Sequence, residues 1–453
     1  ASQSQAINSV GAGDLAEQER QLQRVLDQLS GFPAPPAAWE EEIFPARLGR
    51  YYTSALDRLF QNHDLVWFAG AQPNAEKIIA PANIAFALLE DLEFVREAAV
   101  LESTAESAEP SLADRVLAEL APGPQSLPEL AARSGALQPA VEAVLWSQAG
   151  RGLVSTMDFQ TLRRGIEARF QVQQPARSGR QRWGRGSPRR AADRSWYLLD
   201  RAADFDFEFD PDESSDFDGS DTDGLEPKAS GEDLIEQEAV IRERVRLLFS
   251  RYGVLFRELL ANEAPLLRWS AVFRQLRLME LSGEILGGYF FEGAAGLQFM
   301  TPAAYRTYRQ MFAGERRAGD ANPAGLPLYA LGAKDPASLA GMQSRVPQLR
   351  RLGLPERKAG IQYVFRADGR VILVARRKLS ALELTPPPGD AAIARALTCF
   401  QRMFARDFRA PGQIQLETIN GEPALKSPYR NDLLACGFES DYKFLTLRRL
   451  PGR

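Results

Sequence analysis

The chain has 453 residues, 45% of them apolar and 25% charged, and its formal net charge is −4. This length exceeds what one hydrophobic core supports and predicts about three domains of a globular protein, with no stretch near the ~20 apolar residues of a membrane span. The N-terminus lacks the basic patch and apolar core of a signal peptide, and because it begins without Met we expect a fragment of a longer chain.

Histidine and cysteine are too scarce for several kinds of site. The single histidine, His63, follows a predicted helix, where a solvated or capping role is expected. A Ser-His-Asp hydrolase and a histidine-rich metal site are therefore disfavoured. Cys399 and Cys436 alone cannot complete a zinc site, so we expect no metal in this segment. We expect both thiols to stay reduced in a cytoplasmic protein.

Residues 1–105 predict a unit of three helices followed by strands. The helical segments are LAEQERQLQRVLDQL, WEEEIFPARLG and TSALDRLFQNHD, and LVWFAGAQPNAEKIIAP predicts two strands around a polar turn. Residues 106–170 repeat this order, with SLADRVLAELAPG, SLPELAARSG and QPAVEAVLWSQAGRG as helices and LVSTMDF as a strand. The third helix of that second unit has no basic residue before Arg151, which favours a structural role.

Residues 171–232 predict a polar insertion with one short strand, SWYLL, and mobile backbone on either side. Arg182, Trp183 and Arg185 lie in RQRWGRG, whose composition is typical of a flexible nucleic-acid tether. The alternative is a solvated loop that pairs with the acidic tract at 204–223. That tract would then compete with DNA for the arginines, which is an autoinhibition hypothesis.

Residues 233–312 predict the best-defined three-helix unit. ERVRLLFSRYG ends at Gly253 and buries Val245, Leu248 and Phe249; FRELLANE and WSAVFRQLRLMELSG follow, and GEILGGYFFEGAAGLQFMTP predicts a hairpin. Three helices followed by a hairpin is the winged-helix arrangement. Three copies of this order predict a tandem array of winged helices.

A winged helix places its third helix in the DNA major groove. Here the predicted apolar face of that helix comprises Trp269, Val272, Phe273, Leu276 and Met279. Arg268, Arg274 and Arg277 lie on the polar side, where they can contact phosphates. The alternative is a solvated face of a helix that only packs or binds protein.

The hairpin, or wing, contains one amide of interest. Gln298 alternates with Leu297 and Phe299, so it points to the opposite face of its strand and can reach into a groove. An exposed strand residue without a binding role is the alternative. Tyr289, Phe290 and Phe291 are predicted to be core residues rather than a base-stacking platform.

Residues 313–354 predict a linker, and residues 355–453 predict a β-rich module with helices. IQYVFRADGRVILVA is a hairpin signal, and DAAIARALTCFQRMFARDF is a helix with one apolar face. SPYRNDLLACGF predicts a short helix capped by Ser427, with Pro428 at its first position. A small barrel is the expected architecture. The predicted fold class is therefore α+β, with tandem winged-helix domains followed by a small β-barrel-like module.

The chain has no phosphate-binding loop of the form G-x-x-x-x-G-K-[ST], and GAKDPAS at 332–338 lacks that spacing. No ATP hydrolysis by a P-loop mechanism is expected from this segment. ATP and magnesium are expected only for a motor outside it.

Several segments together resemble the bacterial large helicase-related (Lhr) family. The resemblance rests on RERVRLLFSRYGVLFRELLANE and GEILGGYFFEGAAGLQFMTP, and on PAAWEEEIFPARLGRYYTSALDRLFQNHDLVWFAG, AVEAVLWSQAGRGLVSTMDFQTLRR and INGEPALKSPYRNDLLACGF. The matching motif residues are Arg251, Tyr252, Gly253, Arg257, Glu258, Gly288, Tyr289, Phe290, Glu292, Gly293, Gln298 and Phe299. Leu286 and Gly287 stand where the family has paired arginines, which weakens a phosphate grip by this wing.

The resemblance implies the C-terminal region of an ATP-dependent superfamily 2 DNA repair helicase. It implies a DNA-binding and oligomerisation arm that contacts single- or double-stranded DNA and the protein's own helicase core. One alternative is a DNA glycosylase acting on uracil or alkylated bases, with Asp441, Glu439 or Gln298 as candidate catalytic residues. The other is a non-catalytic homo-oligomerisation scaffold.

Overall fold

A computed structural model describes residues 12–61, 65–70, 78–97, 110–171, 195–200, 231–317 and 326–449, which form an α+β protein. Two compact units are each assembled from segments that are distant in sequence. The first comprises Ala1–Leu59, Arg251–Asn262 and Ile285–Arg453. The second comprises Phe60–Ser250 and Glu263–Glu284.

The elements of the described residues are as follows. The α-helices are α1 (Ala12–Gln28), α2 (Pro36–Ala38), α3 (Phe44–Leu48), α4 (Thr53–Gln61), α5 (Leu92–Val95), α6 (Leu112–Leu120), α7 (Leu127–Ser134), α8 (Gln138–Gly150), α9 (Phe159–Glu167), α10 (Gly231–Tyr252), α11 (Trp269–Leu281), α12 (Pro302–Arg317), α13 (Ala391–Phe404) and α14 (Arg430–Ala435). The strands are β1 (Leu65–Phe68), β2 (Ala85–Leu88), β3 (Gln125–Ser126), β4 (Val154–Thr156), β5 (Ser195–Leu198), β6 (Val254–Leu255), β7 (Leu286–Gly288), β8 (Gln298–Met300), β9 (Leu328–Gly332), β10 (Gln362–Arg366), β11 (Val371–Arg376), β12 (Ala381–Leu384), β13 (Gln413–Leu416), β14 (Thr418–Ile419), β15 (Glu422–Pro423), β16 (Glu439–Ser440) and β17 (Leu445–Arg448). A π-helical turn, Trp39–Ile43, joins α2 to α3.

The second unit contains the three-helix group α6–α8 that was predicted within 106–170. Capping boxes start two of these helices, because Ser111 pairs with Asp114 and Ser126 pairs with Glu129. Gly135 ends α7 in the left-handed region, at φ 66°. The adjoining sheet has the order β3-β5-β4, so the strand predicted within the insertion is the central strand of this wing.

The hairpin β1-β2 also belongs to the second unit, but its second strand differs from the prediction. β1 pairs with β2 at 85–88, and not with the KIIAP segment of the predicted hairpin. Pro81 cannot donate a ladder hydrogen bond, whereas Ala85, Phe86 and Ala87 are fully buried. The Trp67 indole N–H donates to Thr156 Oγ1 at 2.9 Å, which joins this hairpin to β4.

In the first unit, the N-terminal helices bond to segments far along the chain. Arg251 donates to the carbonyls of Gln28 and Ser30 at 3.1 and 2.7 Å and lies over the Phe32 ring. Arg47 of α3 forms a two-bond ion pair with the buried carboxylate of Asp335, at 2.7 and 3.0 Å. Arg251, which is one of the family-motif residues, therefore anchors backbone carbonyls within its own unit.

The C-terminal strands of the first unit do not form the predicted barrel. In the described residues they form an open six-stranded sheet of order β15-β14-β12-β11-β10-β9 and a separate three-stranded sheet of order β13-β17-β16. The predicted hairpin β10-β11 is present, and α13 buries its apolar face against the strands. β9, from the predicted linker, is an edge strand of the larger sheet, so part of that linker is folded.

Two predicted helices begin or fold differently. α14 begins at Arg430, and Ser427 lies in a turn before it, since the Arg430 N–H donates to the Ser427 carbonyl at 3.0 Å. FRELLANE forms a 3-10 helix at Leu259–Asn262, followed by another at Pro265–Leu267, instead of an α-helix. Pro265 lacks an N–H and prevents a longer α-helical ladder.

None of the helices in the described ranges combines the length and hydropathy needed to cross a bilayer.

Candidate nucleic-acid interface

The third helix of the best-defined unit, α11, has a mixed basic and apolar solvent face. Val272, Leu276 and Met279 are buried, as predicted. Phe273 is instead 38% exposed, and Gln275 takes a buried position. The helical repeat places Phe273 closer to Arg277 than to Met279 around the axis, so one ring lies on the basic side.

The predicted arginines of this face differ in position. Arg274 and Arg277 are one turn apart on the exposed side of α11. Arg268 precedes the helix as its N-cap residue, and its Nε donates to the Glu263 carbonyl at 3.1 Å. The structure thus puts two of the three arginines on one helical face.

Both arginines of the α11 face have a carboxylate partner. The Arg274 side chain, 84% exposed, pairs with Glu238 of α10 at 3.0 Å. Arg277 pairs with Glu280 on the same helix. Exposed pairs of this kind contribute only about 0–1 kcal/mol, so a DNA phosphate can replace the carboxylate. We define the α11 face as Phe273, Arg274, Arg277 and Leu281, all exposed.

Gln298 lies in the wing, and its position corrects both roles considered for it. Its side chain is fully buried, not exposed. Its Oε1 accepts from the N–H groups of Phe290 and Phe291 at 3.0 and 2.8 Å. Its Nε2 donates to the carbonyls of Phe291 and Ala294 at 2.9 and 3.3 Å. The amide holds the turn of the wing and offers no free group to a base or a water.

The aromatic residues of the wing were predicted to be core, and two of them are not. Tyr289 is 80% exposed and Phe291 is 40% exposed. Phe290 is half-buried between them and packs on Tyr305 and Tyr308 of α12. A three-stranded sheet of order β6-β8-β7 is too small to cover both faces of the turn, which leaves alternate rings outside.

The candidate carboxylates of the C-terminal module lie at a hairpin tip. Asp441 and Glu439 are both exposed, Asp441 accepts from the Tyr442 N–H at 2.7 Å, and Glu439 approaches Arg448 at 3.9 Å. Neither lies near the wing in sequence, and no contact joins either to Gln298. Among the described residues, these candidates thus stay separate alternatives, one at the hairpin tip and one in the wing.

Other predicted residues lie outside the described part of the chain. These are Arg182, Trp183 and Arg185, His63, and the acidic tract at 204–223. Within the part of the chain that is described, no group of three or more His, Cys, Asp or Glu side chains could hold a metal ion.

No signal in the sequence indicated a half-buried carboxyl group in the first unit, that of Glu42. Burial raises the pKa of Glu42, on the π-helical turn, to about 7, although Arg406 and Gln362 oppose the shift. The Glu42 carboxyl lies against Gly332, where a Cβ would come within 1.7 Å of its oxygen. The segment WEEEIFPARLG was predicted only as a helix, and the packing of Glu42 on β9 and β10 follows from residues far along the chain.

Two stretches of the chain are similar to known winged-helix domains. Residues 235–320 and residues 3–88 match two family models, each described as a winged-helix domain of the large helicase-related protein. These are the same two regions in which the sequence predicts the third and first three-helix units.

Two curated proteins are similar to nearly the whole chain. One, from Escherichia coli, is named "Lhr helicase/uracil glycosylase" and is 23% identical over 445 residues, or 92% of this chain. The other, from Mycolicibacterium smegmatis, is named "Lhr helicase/ probable uracil glycosylase" and is 25% identical over 458 residues, or 94% of this chain. The chain spans about a quarter of the length of these relatives, 26% of each.

Proposed function

Since this chain belongs to the large helicase-related family, we propose that it is a DNA-binding and assembly arm that works with an ATP-dependent helicase core. ATP and magnesium serve that core, and this segment contributes DNA contacts. The observation that carries the proposal is the exposed α11 face, with Arg274 and Arg277 one turn apart on the third helix of a winged-helix domain.

The α11 face suits DNA because its two arginines can exchange their carboxylate partners for phosphates. Arg274 and Arg277 are held in position by Glu238 and Glu280, and each can transfer its hydrogen bonds to a phosphate oxygen. Phe273 and Leu281 on the same face can contact sugars or a thymine methyl group. Phosphate contacts of this kind give salt-dependent binding with little sequence preference.

A binding titration tests the proposal. The full chain is titrated against a labelled duplex and a labelled single strand at several salt concentrations, followed by fluorescence anisotropy. In the double variant Arg274→Glu, Arg277→Glu we expect about tenfold weaker duplex binding at low salt and a salt slope smaller by about two.

The matched control is Arg115→Glu, Arg133→Glu, which removes the same charge from two exposed arginines of the α6–α8 group. We expect that control to weaken binding less than about threefold, through net charge alone. Equal losses in the two variants would contradict the assignment of DNA contact to the α11 face.

A second candidate function is removal of uracil from DNA, since both relatives carry uracil glycosylase in their names. The observation in its favour is an exposed carboxylate, Asp441, next to Tyr442, which is 90% exposed at the same hairpin tip. A carboxylate can direct water to the sugar, and an aromatic ring can fill the space left by a flipped base.

Incubation with uracil-containing DNA, without ATP or metal, followed by alkaline cleavage, tests this function. Strand breaks that disappear in Asp441→Asn would support it, and DNA binding without breaks would leave the arm as the function. Homo-oligomerisation belongs to the first proposal, the DNA-binding and assembly arm. A native-mass measurement of the full chain tests it.

A further inference from the structure

The wing presents aromatic rings to solvent where a winged helix ordinarily needs only a polar ribbon. Tyr289 and Phe291 lie on the outside of the turn, and Tyr305 and Tyr308 lie half-buried beneath it on α12. Exposed rings of this size lose the free energy that burial would provide, about 2 kcal/mol for a ring like that of Phe291. Exposed rings of this kind are typical of a surface that binds a ligand.

Four rings, Phe290, Phe291, Tyr305 and Tyr308, form one contiguous cluster, and the exposed Tyr289 directly precedes it in the chain. Tyr308 meets Phe291 edge-on with 5.6 Å between centroids and stacks with Tyr305 at 6.3 Å. Phe290 contacts both tyrosines, at 5.8 and 6.3 Å. We call Tyr289, Phe291, Tyr305 and Tyr308 the wing platform.

The backbone under the wing platform is held rigidly. The four hydrogen bonds of Gln298 fix the turn, and the Tyr308 hydroxyl donates to the Phe290 carbonyl at 2.9 Å. Gly293 packs on the Gln348 side chain so closely that an added Cβ would lie 2.1 Å from it. A surface fixed before binding loses little conformational entropy when a ligand arrives.

The surroundings of the platform are basic. Arg306 and Arg309 are exposed on α12, with Arg309 one turn from Tyr305. The wing turn packs through Ala294 on a buried cluster that includes Met342 and Val346, and the segment of these two residues carries the exposed Arg345 and Arg350. In the described ranges, none of these four arginines forms an ion pair. The carboxylate of the turn itself is Glu292.

We propose that the wing platform stacks unpaired bases of single-stranded DNA, while the arginines of α12 and of residues 345–350 hold the adjacent phosphates. This proposal rests on the proposed DNA-binding function and names the strand state that the wing recognises. Aromatic rings beside free arginines match the stacking faces and charges of an unpaired strand. Bases within a duplex are already stacked on each other and offer no free face.

The test uses the full chain and three labelled oligonucleotides of equal length: a single strand, the same backbone without bases, and a duplex. In Tyr289→Ala we expect about tenfold weaker binding of the single strand, because one base loses its stacking partner. Binding of the base-free backbone and of the duplex should stay within twofold. Tyr289→Trp should restore or exceed the original single-strand affinity.

Arg306→Ala, Arg309→Ala provides the complementary variant. It should weaken binding of the single strand and of the base-free backbone by the same factor, since both present phosphates. Hydrogen exchange of peptides covering the wing checks that each variant keeps its fold.

Three results would contradict the proposal that the wing platform stacks unpaired bases. One is Tyr289→Ala binding all three probes like the original chain, and another is an equal loss on the single strand and the base-free backbone. The third is a lower native mass of Tyr289→Ala with unchanged DNA binding, which would make a second copy of the chain the occupant. If the unaltered chain binds none of the probes, the proposed DNA-binding function fails as well.

Discussion

The α11 face and the wing platform are both candidate DNA surfaces of one winged-helix domain, and they differ in how their arginines are partnered. Arg274 and Arg277 already have carboxylate partners, Glu238 and Glu280. Arg306 and Arg309 have none among the described residues, and they stand beside rings rather than acids. The comparison suggests that the first surface binds phosphate by exchange, whereas the second combines phosphate with base stacking.

The difference also concerns what holds each surface in place. α11 is a regular helix whose buried face, Val272, Leu276 and Met279, orients its arginines. The turn of the wing, between β7 and β8, has no regular secondary structure, and the buried amide of Gln298 holds it. The wing platform is therefore more vulnerable to a single substitution than the α11 face.

The largest expected effect comes from Gln298→Ala. The change removes the partner of two half-buried N–H groups and two carbonyls of the wing turn, at a cost of about 4 kcal/mol of local stability. Hydrogen exchange should become fast in peptides covering 286–300, and single-strand binding should fall while duplex binding by the α11 face persists.

The control for Gln298→Ala is Gln415→Ala, which removes the amide of an exposed glutamine in β13. Its exchange and binding should match those of the unaltered chain. Slow exchange retained in Gln298→Ala would contradict the role assigned to this amide, and a loss of both binding activities would deny that the two surfaces are independent.

A smaller effect, on the stability of the fold, is expected when pH changes the protonation of Glu42. This residue lies in the same unit as the wing, and the α11 face lies in the other unit. Burial raises the pKa of Glu42 to about 7, from 4.5 for an ordinary glutamate. Between these two pH values the folded chain keeps a proton that the unfolded chain releases, so stability falls as pH rises, by about 3 kcal/mol in total.

Urea unfolding of the unaltered chain and of Glu42→Gln at pH 5 and pH 8 measures this contribution. Glu42→Gln should lose less stability than the unaltered chain between these two pH values. Glu19→Gln, on α1 of the same unit and paired with Arg58, is the control and should retain the original pH dependence. Identical pH dependence in all three proteins would show that Glu42 titrates like an exposed carboxyl.

The smallest effect is expected from Glu238→Gln, which frees Arg274 on the α11 face. Removing an exposed ion pair of about 0.5 kcal/mol should strengthen duplex binding about twofold and leave single-strand binding by the wing platform unchanged. Glu243→Gln is the control, because it removes the same charge from the same helix while Arg246 keeps its pair with Glu284. Equal gains in the two variants would attribute the effect to net charge.

Much of the fold was predictable because its signals are local. The apolar spacing of α6–α8, their capping boxes and the Asp-Gly turn between β10 and β11 involve residues only a few positions apart. Where a partner lay beyond the next segment, prediction failed. β1 pairs with 85–88, the insertion strand β5 is the centre of the β3-β5-β4 sheet, and the predicted barrel is an open sheet.

In the candidate site, too, predictions from local spacing succeeded, whereas those that depended on distant packing failed. Arg274 and Arg277 were placed on the solvent side of α11 by helical spacing, and the structure has them there. Gln298 was assigned by strand alternation, which presumes a sheet with one buried and one exposed face, and Tyr289 and Phe291 were assigned to the core as apolar rings. The wing is a turn over a small sheet, so its amide is buried and two of its rings are outside.

By itself, the sequence determined the α+β class, the helices of the winged-helix domains, the family and the basic third helix, because each follows from residue spacing along a short stretch. Only the tertiary structure decided which side chains reach solvent in the wing, and that the half-buried Glu42 carboxyl lies against Gly332. Burial depends on what packs against a residue from elsewhere in the chain, and no local pattern encodes that neighbour.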